Sequence, residues 1–184
     1  MKKITLILIS AFFLFNLSNA NAQCDLPLNE DGEYEVQEVV KLDATYSDSE
    51  IYGAAMFALA EVFNSAEDII DVENEKLGYI HGQFSTKSEP FSMGMWNSYF
   101  TFSIRFEFKD SRYRITVRYM HHKAIRPESE CSCPNKLSEI KCGSYCLTKG
   151  KWNDQKCEAN KQVLGAIEEI KTLISKNLTV GDNW

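Results

Sequence analysis

Five of the six cysteines in this 184-residue chain crowd into residues 131 to 157, "CSCPNKLSEIKCGSYCLTKGKWNDQKC", and the sixth, Cys24, lies far upstream. Thiols at such spacing can ligate a metal, run redox chemistry or form disulfide crosslinks. A structural zinc site wants four reduced thiolate or imidazole ligands. Here C-x-C precedes C-x3-C by eight residues, a spacing with some zinc character, but no histidine lies inside the cluster. A dithiol redox motif normally reads C-x-x-C, which is absent from the chain. The choice turns on the compartment.

The N-terminus addresses that. Lys2 and Lys3 precede an apolar run from Ile4 to Leu17, followed by Ala20-Asn21-Ala22. A positive start, a short greasy core and a small-x-small ending make a secretory signal peptide over 1–22, cut between Ala22 and Gln23. The apolar run falls short of the roughly 20 residues a membrane span needs. A lipoprotein fits less well, because Gln23 stands where a small residue would precede a lipidated Cys24. Export, periplasmic or beyond, leads to oxidising conditions, so the expectation is disulfides drawn from Cys24, Cys131, Cys133, Cys142, Cys146 and Cys157. Cys131 and Cys133 sit too close to pair comfortably and should take different partners. Complete pairing then requires Cys24, which would clip the mature N-terminus onto the cysteine loop.

Losing residues 1–22 removes two lysines and no acids, taking the formal charge from −6 to −8. Such an acidic protein is a poor nucleic-acid binder, because that affinity comes largely from neutralising phosphates. About 160 residues remain, enough for one domain with a real core. No later segment is apolar enough to cross a membrane.

The elements that must carry this chemistry follow from periodicity. Residues 23–33 read as an extended lead-in, and 33–42 as a strand. Ser47 and Glu50 form a capping box ahead of a helix whose stripe is Ile51, Ala55, Leu59, Val62 and Phe63, ending near Asn64 and Ser65. Strands are expected at 67–73 and 77–85, with Gly82 marking a bulge or a close backbone approach. Residues 86–97 read as a loop. Then Phe100, Phe102, Ile104, Phe106 and Phe108 alternate with polar residues, and so do Tyr113, Ile115, Val117 and Tyr119. Period two on both arms predicts two half-buried strands. A two-residue turn at Asp110-Ser111 would pair Phe108 with Tyr113, Phe106 with Ile115, Ile104 with Val117 and Phe102 with Tyr119. It also sets Glu107 opposite Arg114. Extending that parity puts His121 on the buried face and His122 on the exposed one.

Residues 123–153 form a Cys-rich insertion. A final helix capped by Asn153 or Asp154 carries Val163, Ile167, Ile170 and Ile174, widened by Leu164 and Leu173, with 179–184 as a frayed tail. The fold class is therefore α+β: one domain over 34–178, an antiparallel sheet of about five strands with both helices on one face.

The stretches "EVVKLDATYSDSEIYGAAMFALAEVF", "AEDIIDVENEKLGYIHGQFS" and "FSIRFEFKDSRYRITVRYM" resemble a family of small exported bacterial proteins. That family carries a domain of unknown function with a fold like the TATA-box-binding protein. The resemblance spans about residues 34–122. It implies a strand–helix–four strands–helix order and brings no catalytic residue with it. The family's last hairpin often reads KDGRYR, where this chain has KDSRYR, and the cysteine insertion departs from the pattern.

Two surfaces stand out for binding. Residues 99–126 hold seven cations (Arg105, Lys109, Arg112, Arg114, Arg118, Lys123, Arg126) against Glu107 and Asp110, a local surplus of five positive charges. Arg105, Arg114 and Arg118 would line a face for an acidic protein or an anionic glycan. The segment 90–96 offers Phe91, Met93, Met95 and Trp96 as a contact loop. The expected function is a non-catalytic binding or assembly module with no cofactor and no metal. The alternatives are a hydrolase whose site leaves no sequence motif and a zinc-binding accessory protein. No G-x-S-x-G elbow, H-E-x-x-H pair or phosphate-cradling glycine loop occurs.

Overall fold

The computed structural model describes residues 24–65, 67–91, 94–133, 136–142 and 147–181, with backbone alone at 180 and 181. The expected signal segment and its cleavage site, Met93, Cys146 and the last three residues lie outside the described residues. In chain order the elements are β1 (Glu35–Lys41), α1 (Asp48–Phe63), β2 (Ile70–Asn74), a 3₁₀ turn (Glu75–Leu77), β3 (Tyr79–Phe91), β4 (Trp96–Phe108), β5 (Arg112–Arg126), β6 (Ser129–Cys133) and α2 (Lys149–Gly181). The six strands form one antiparallel sheet in the order β1-β5-β4-β3-β2, and β6 pairs with the far half of β5. The first part of β5, from Arg112 to Arg118, pairs with β1.

Local chemistry fixes the first helix as expected. Ser47 caps α1 in extended backbone, its hydroxyl accepting from the Glu50 N–H while the Glu50 carboxylate accepts from the Ser47 N–H. Both bonds satisfy donors that a helix start leaves open. Asn64 ends the helix in left-handed conformation, at φ 61°. Ile51, Ala55, Ala58 and Leu59 are fully buried, so small side chains let α1 lie close to the sheet.

The β4–β5 hairpin has the register the alternation dictates, from Phe108↔Tyr113 through Phe102↔Tyr119. Phe100, Phe102, Ile104, Phe106, Tyr113, Ile115 and Val117 point into one core with Val163, Ile167, Ile170 and Ile174 of α2. At roughly 1.5–3 kcal/mol per large apolar side chain buried, this shared layer is what holds both helices on one side of the sheet. Gly82 is required by contact: a Cβ there would lie 2.3 Å from the Ile69 carbonyl oxygen.

Five expectations are corrected. Residues 86–97 are mostly strand, because Thr86 and Ser88 turn inward as small polar residues beneath α2. The Ser88 hydroxyl donates to the Gln155 carbonyl at 3.4 Å. The cysteine insertion is not all loop, since β5 runs on to Arg126 and β6 adds a sixth strand. The last helix begins at Lys149, not at Asn153 or Asp154; the Thr148 carbonyl accepts from the Trp152 N–H. It also runs to Gly181, through part of the tail expected to fray. Leu164, placed in the buried stripe, is more than a third exposed.

The outer edge of β3 is closed by side chains from α2. Gln162 donates to the Lys87 carbonyl at 3.1 Å and Gln155 donates to the Glu89 carbonyl at 2.9 Å. The Glu158 carboxylate accepts from the Glu89 N–H at 3.1 and 3.2 Å. These bonds occupy groups that would otherwise invite another strand.

A one-sided sheet and its arginine face

Among the described residues the side of the sheet away from the helices is open, and three cross-strand rows run over it. Glu35, Arg118, Ser103 and Gln83 form the first. Gln37, Thr116, Arg105 and His81 form the second, and Val39, Arg114, Glu107 and Tyr79 the third. Period-two side chains put each set on one face. Arg105, Arg114 and Arg118 thus come together as the alternation predicts, around a depression of about 370 Å³ that also touches Gln37, His81, Ser103, Glu107 and Thr116. A second hollow of about 450 Å³ adjoins it through Arg105, Glu107 and Arg114, and adds Val39, Leu77, Arg112 and Lys109. Val39 and Leu77 are both more than half exposed, so this end of the face is greasy as well as cationic.

The arginines are not bare. Arg114 grips Glu107 through Nε at 2.8 Å and Nη2 at 2.5 Å. Arg105 reaches the same carboxylate at 3.2 Å. Arg118 Nε donates to Glu35 Oε2 at 2.5 Å. Two guanidinium groups share one acid and the third has its own, so these five side chains carry one positive charge in excess. The Glu107–Arg114 pairing is the one expected from the turn. The Glu35–Arg118 pair depends on β1 docking beside β5, which no local pattern announces. Such solvent-facing pairs contribute well under about 1 kcal/mol each, so holding Arg side chains in place is their larger effect.

The histidines separate. His81 lies in the depression, and its buried Nδ1 has no hydrogen-bond partner among the described residues. The parity expected for His121 and His122 is reversed. Thr101 pairs with His121 while Phe102 pairs with Tyr119, which leaves Met120 as an extra bulged residue. One inserted residue flips every later side chain to the other face. His122 is therefore fully buried against Phe100 and Trp152, with Nε2 2.5 Å from the Ser98 hydroxyl. Burial pushes its pKa down to about 4, helped by the neighbouring His121. A serine and a histidine thus meet, but both are shut inside the core, where no substrate reaches. No three His, Cys, Asp or Glu side chains converge on a metal-sized site among the described residues.

The contact loop is corrected too. Phe91 and Trp96 are both buried and stack face to face at 6.1 Å, closing the β3–β4 hairpin, and Arg126 covers the Trp96 ring at 4.7 Å. Only Met95 of the described members is exposed.

Among the cysteines, Cys133 and Cys142 are joined by a disulfide, and Cys131 is disulfide-bonded as well. Cys131 and Cys133 thus have different partners, as their spacing requires. Carbonyls of the loop beyond them are tied to α2: Lys156 donates to Leu137 and Glu139, and Trp152 Nε1 donates to Glu139 at 2.9 Å. Cys24 and Cys157 are free thiols in side-chain contact with each other. Burial first, and the hydrogen bond with Cys157 second, push the Cys24 thiol up to about 12.

Comparison with known proteins bears on the fold. A TBP-like protein from Parabacteroides distasonis superposes with a TM-score of 0.60 at 14% identity, over 79% of this chain and 95% of that one. A DUF4468 family protein from Bacteroides ovatus gives 0.54 at 12% identity, over 83% and 94%. No curated protein matches the sequence. At such identities these structures speak for the architecture alone. The sequence itself matches a family model over residues 37–123, the span from β1 into β5 that contains all three arginines of the open face. That model describes the domain of unknown function DUF4468, with a TBP-like fold.

Proposed function

We propose that this protein is an exported, disulfide-stabilised, non-catalytic binding or assembly module whose open sheet face takes an acidic partner. The single observation that carries the reading is the uncovered face itself. Arg105, Arg114 and Arg118 are ordered there around a depression, with exposed Val39 and Leu77 at its end. Guanidinium groups are planar multi-donors that match carboxylate and sulfate geometry. A partner's acid can displace Glu107 or Glu35 from an arginine already held in position, while its apolar part covers Val39 and Leu77. The acidic remainder of the chain suppresses non-specific association with polyanions, so the face selects by geometry more than by charge.

The test is binding of the protein to poly-L-glutamate and to dextran sulfate, with poly-L-lysine as control, at low and physiological salt. Charge reversal of Arg105, Arg114 and Arg118 to Glu should abolish retention on the acidic probes and capture of a partner from periplasmic extract. Unchanged retention and capture in a folded triple variant would reject this face as the binding surface.

A further inference from the structure

We propose that Cys24 and Cys157 close a further disulfide in the oxidised protein, committing the Cys24 sulfur to a crosslink with α2 and leaving none for a lipid thioether. The expectation from spacing was a clip onto the cysteine loop; the partner is instead a residue of the long helix.

Three observations converge on that pair. The two thiols touch, and they are free, whereas Cys131, Cys133 and Cys142 are already bonded. The segment carrying Cys24 is seated rather than loose: Glu35 N–H donates to the Pro27 carbonyl, and Leu28 bridges Tyr34. Buried Tyr34 in turn donates its hydroxyl to Asn160 Oδ1 at 2.9 Å, one helical turn beyond Cys157. The fold therefore presents a sulfur from a pinned strand to a sulfur on a rigid helix, and both are only half-buried, within reach of an oxidant.

The chemistry balances with an oxidised thiol–disulfide oxidoreductase, or oxidised glutathione, as the electron acceptor. Cys24 is held protonated by burial and by its bond to Cys157, so Cys157 is the sulfur that attacks. Its thiolate opens the oxidant's S–S bond, giving a mixed disulfide and releasing one thiolate. Cys24 then gives its proton to solvent, attacks the Cys157 sulfur and expels the second thiolate. Two protein thiols lose two electrons and two protons, and the oxidant's disulfide becomes two thiols. In the cell this rests on the export reading, which supplies the oxidant. A defined redox buffer does not, so the two ideas fail separately.

The experiment equilibrates the purified full chain in oxidised and reduced glutathione, quenches with N-ethylmaleimide and maps tryptic peptides without reduction. Trypsin isolates Cys157 in a five-residue peptide, 157–161, and Cys24 in the peptide ending at Lys41. These two should appear covalently joined, with maleimide labelling of both sulfurs at least about 100-fold below the reduced chain. Cys24→Ser should leave Cys157 open to alkylation with Cys133–Cys142 intact. Two alkylated sulfurs in the fully oxidised chain, or peptide 157–161 joined elsewhere, would overturn the proposal. So would a diacylglycerol mass on Cys24 in protein recovered from the producing cells.

Discussion

The Ser111 hydroxyl makes two hydrogen bonds to one residue, accepting from the Tyr46 N–H and donating to the Tyr46 carbonyl, both at 3.1 Å. Asp110 and Ser111 form the β4–β5 turn with φ of 55° and 53°, the left-handed pair that suits the twist of a tight hairpin. Glycine would occupy Ser111's place at less backbone cost. The serine instead ties the turn to the segment leading into α1. Ser111→Ala keeps the strain and loses both bonds, so it should destabilise by about 1–2 kcal/mol. Ser111→Gly sheds the strain as well and should lie between alanine and the native protein. Urea midpoints rank the three; alanine equal to the native protein would show that the Tyr46 bonds contribute nothing, and alanine equal to glycine that the turn carries no backbone strain.

His122 makes stability depend on pH. Its folded pKa, about 4, lies below the usual 6.5 because the charged ring would be desolvated. The unfolded chain therefore binds a proton that the folded chain refuses. His122's contribution is complete above pH 6.5 and is lost as pH falls toward 4, with the whole window worth roughly 3 kcal/mol. In His122→Phe the urea midpoint should fall less steeply between those pH values than in the native protein, at whatever absolute stability the variant has. Parallel pH profiles for the two would show that the buried ring is not what titrates.

Glu107 restrains two arginines at once. Removing its charge by Glu107→Gln should shift stability by less than about 1 kcal/mol, since the pairs face solvent. The same change frees Arg105 and Arg114 and raises the local charge by one. Retention of the protein on dextran sulfate should strengthen several-fold and revert at high salt. Weaker retention would mean that Glu107 orients the arginines for the ligand rather than competing with it.

The closed edge of β3 predicts an association phenotype. A Gln155→Ala, Glu158→Ala, Gln162→Ala triple variant leaves Lys87 and Glu89 backbone groups without the partners they now have. Light scattering after size exclusion should show concentration-dependent self-association above the native protein's. A monodisperse monomer at high concentration would show that the edge needs no such cover.

The parts of the fold written in local chemistry were readable in advance. Ser47 and Glu50 specify a helix start within one turn, and strict alternation from Phe100 to Tyr119 specifies a hairpin and its register. Legibility stops at Met120, because "MHHKAI" has no alternation to reveal a bulge, and the histidines change places as a result. Residues 86–91 escaped for a different reason: inward Thr86 and Ser88 read as loop composition until α2 covers them. On the open face, the arginines were visible through the period of β4 and β5. Their partner Glu35 and the flank of Val39 and Leu77 were not, since those depend on which strands become neighbours across long stretches of chain.

The strand order sets a sequence of events during biosynthesis. β1 is the first strand to be made, yet its partner is the segment Arg112–Arg118 of β5, some eighty residues later. A growing polypeptide therefore carries Glu35–Lys41 without its strand partner until the fifth strand emerges, while β2, β3 and β4 can already zip together. Closing that long gap is the slow, entropically costly event. It makes the N-terminal strand the part of the sheet that waits longest for its neighbour.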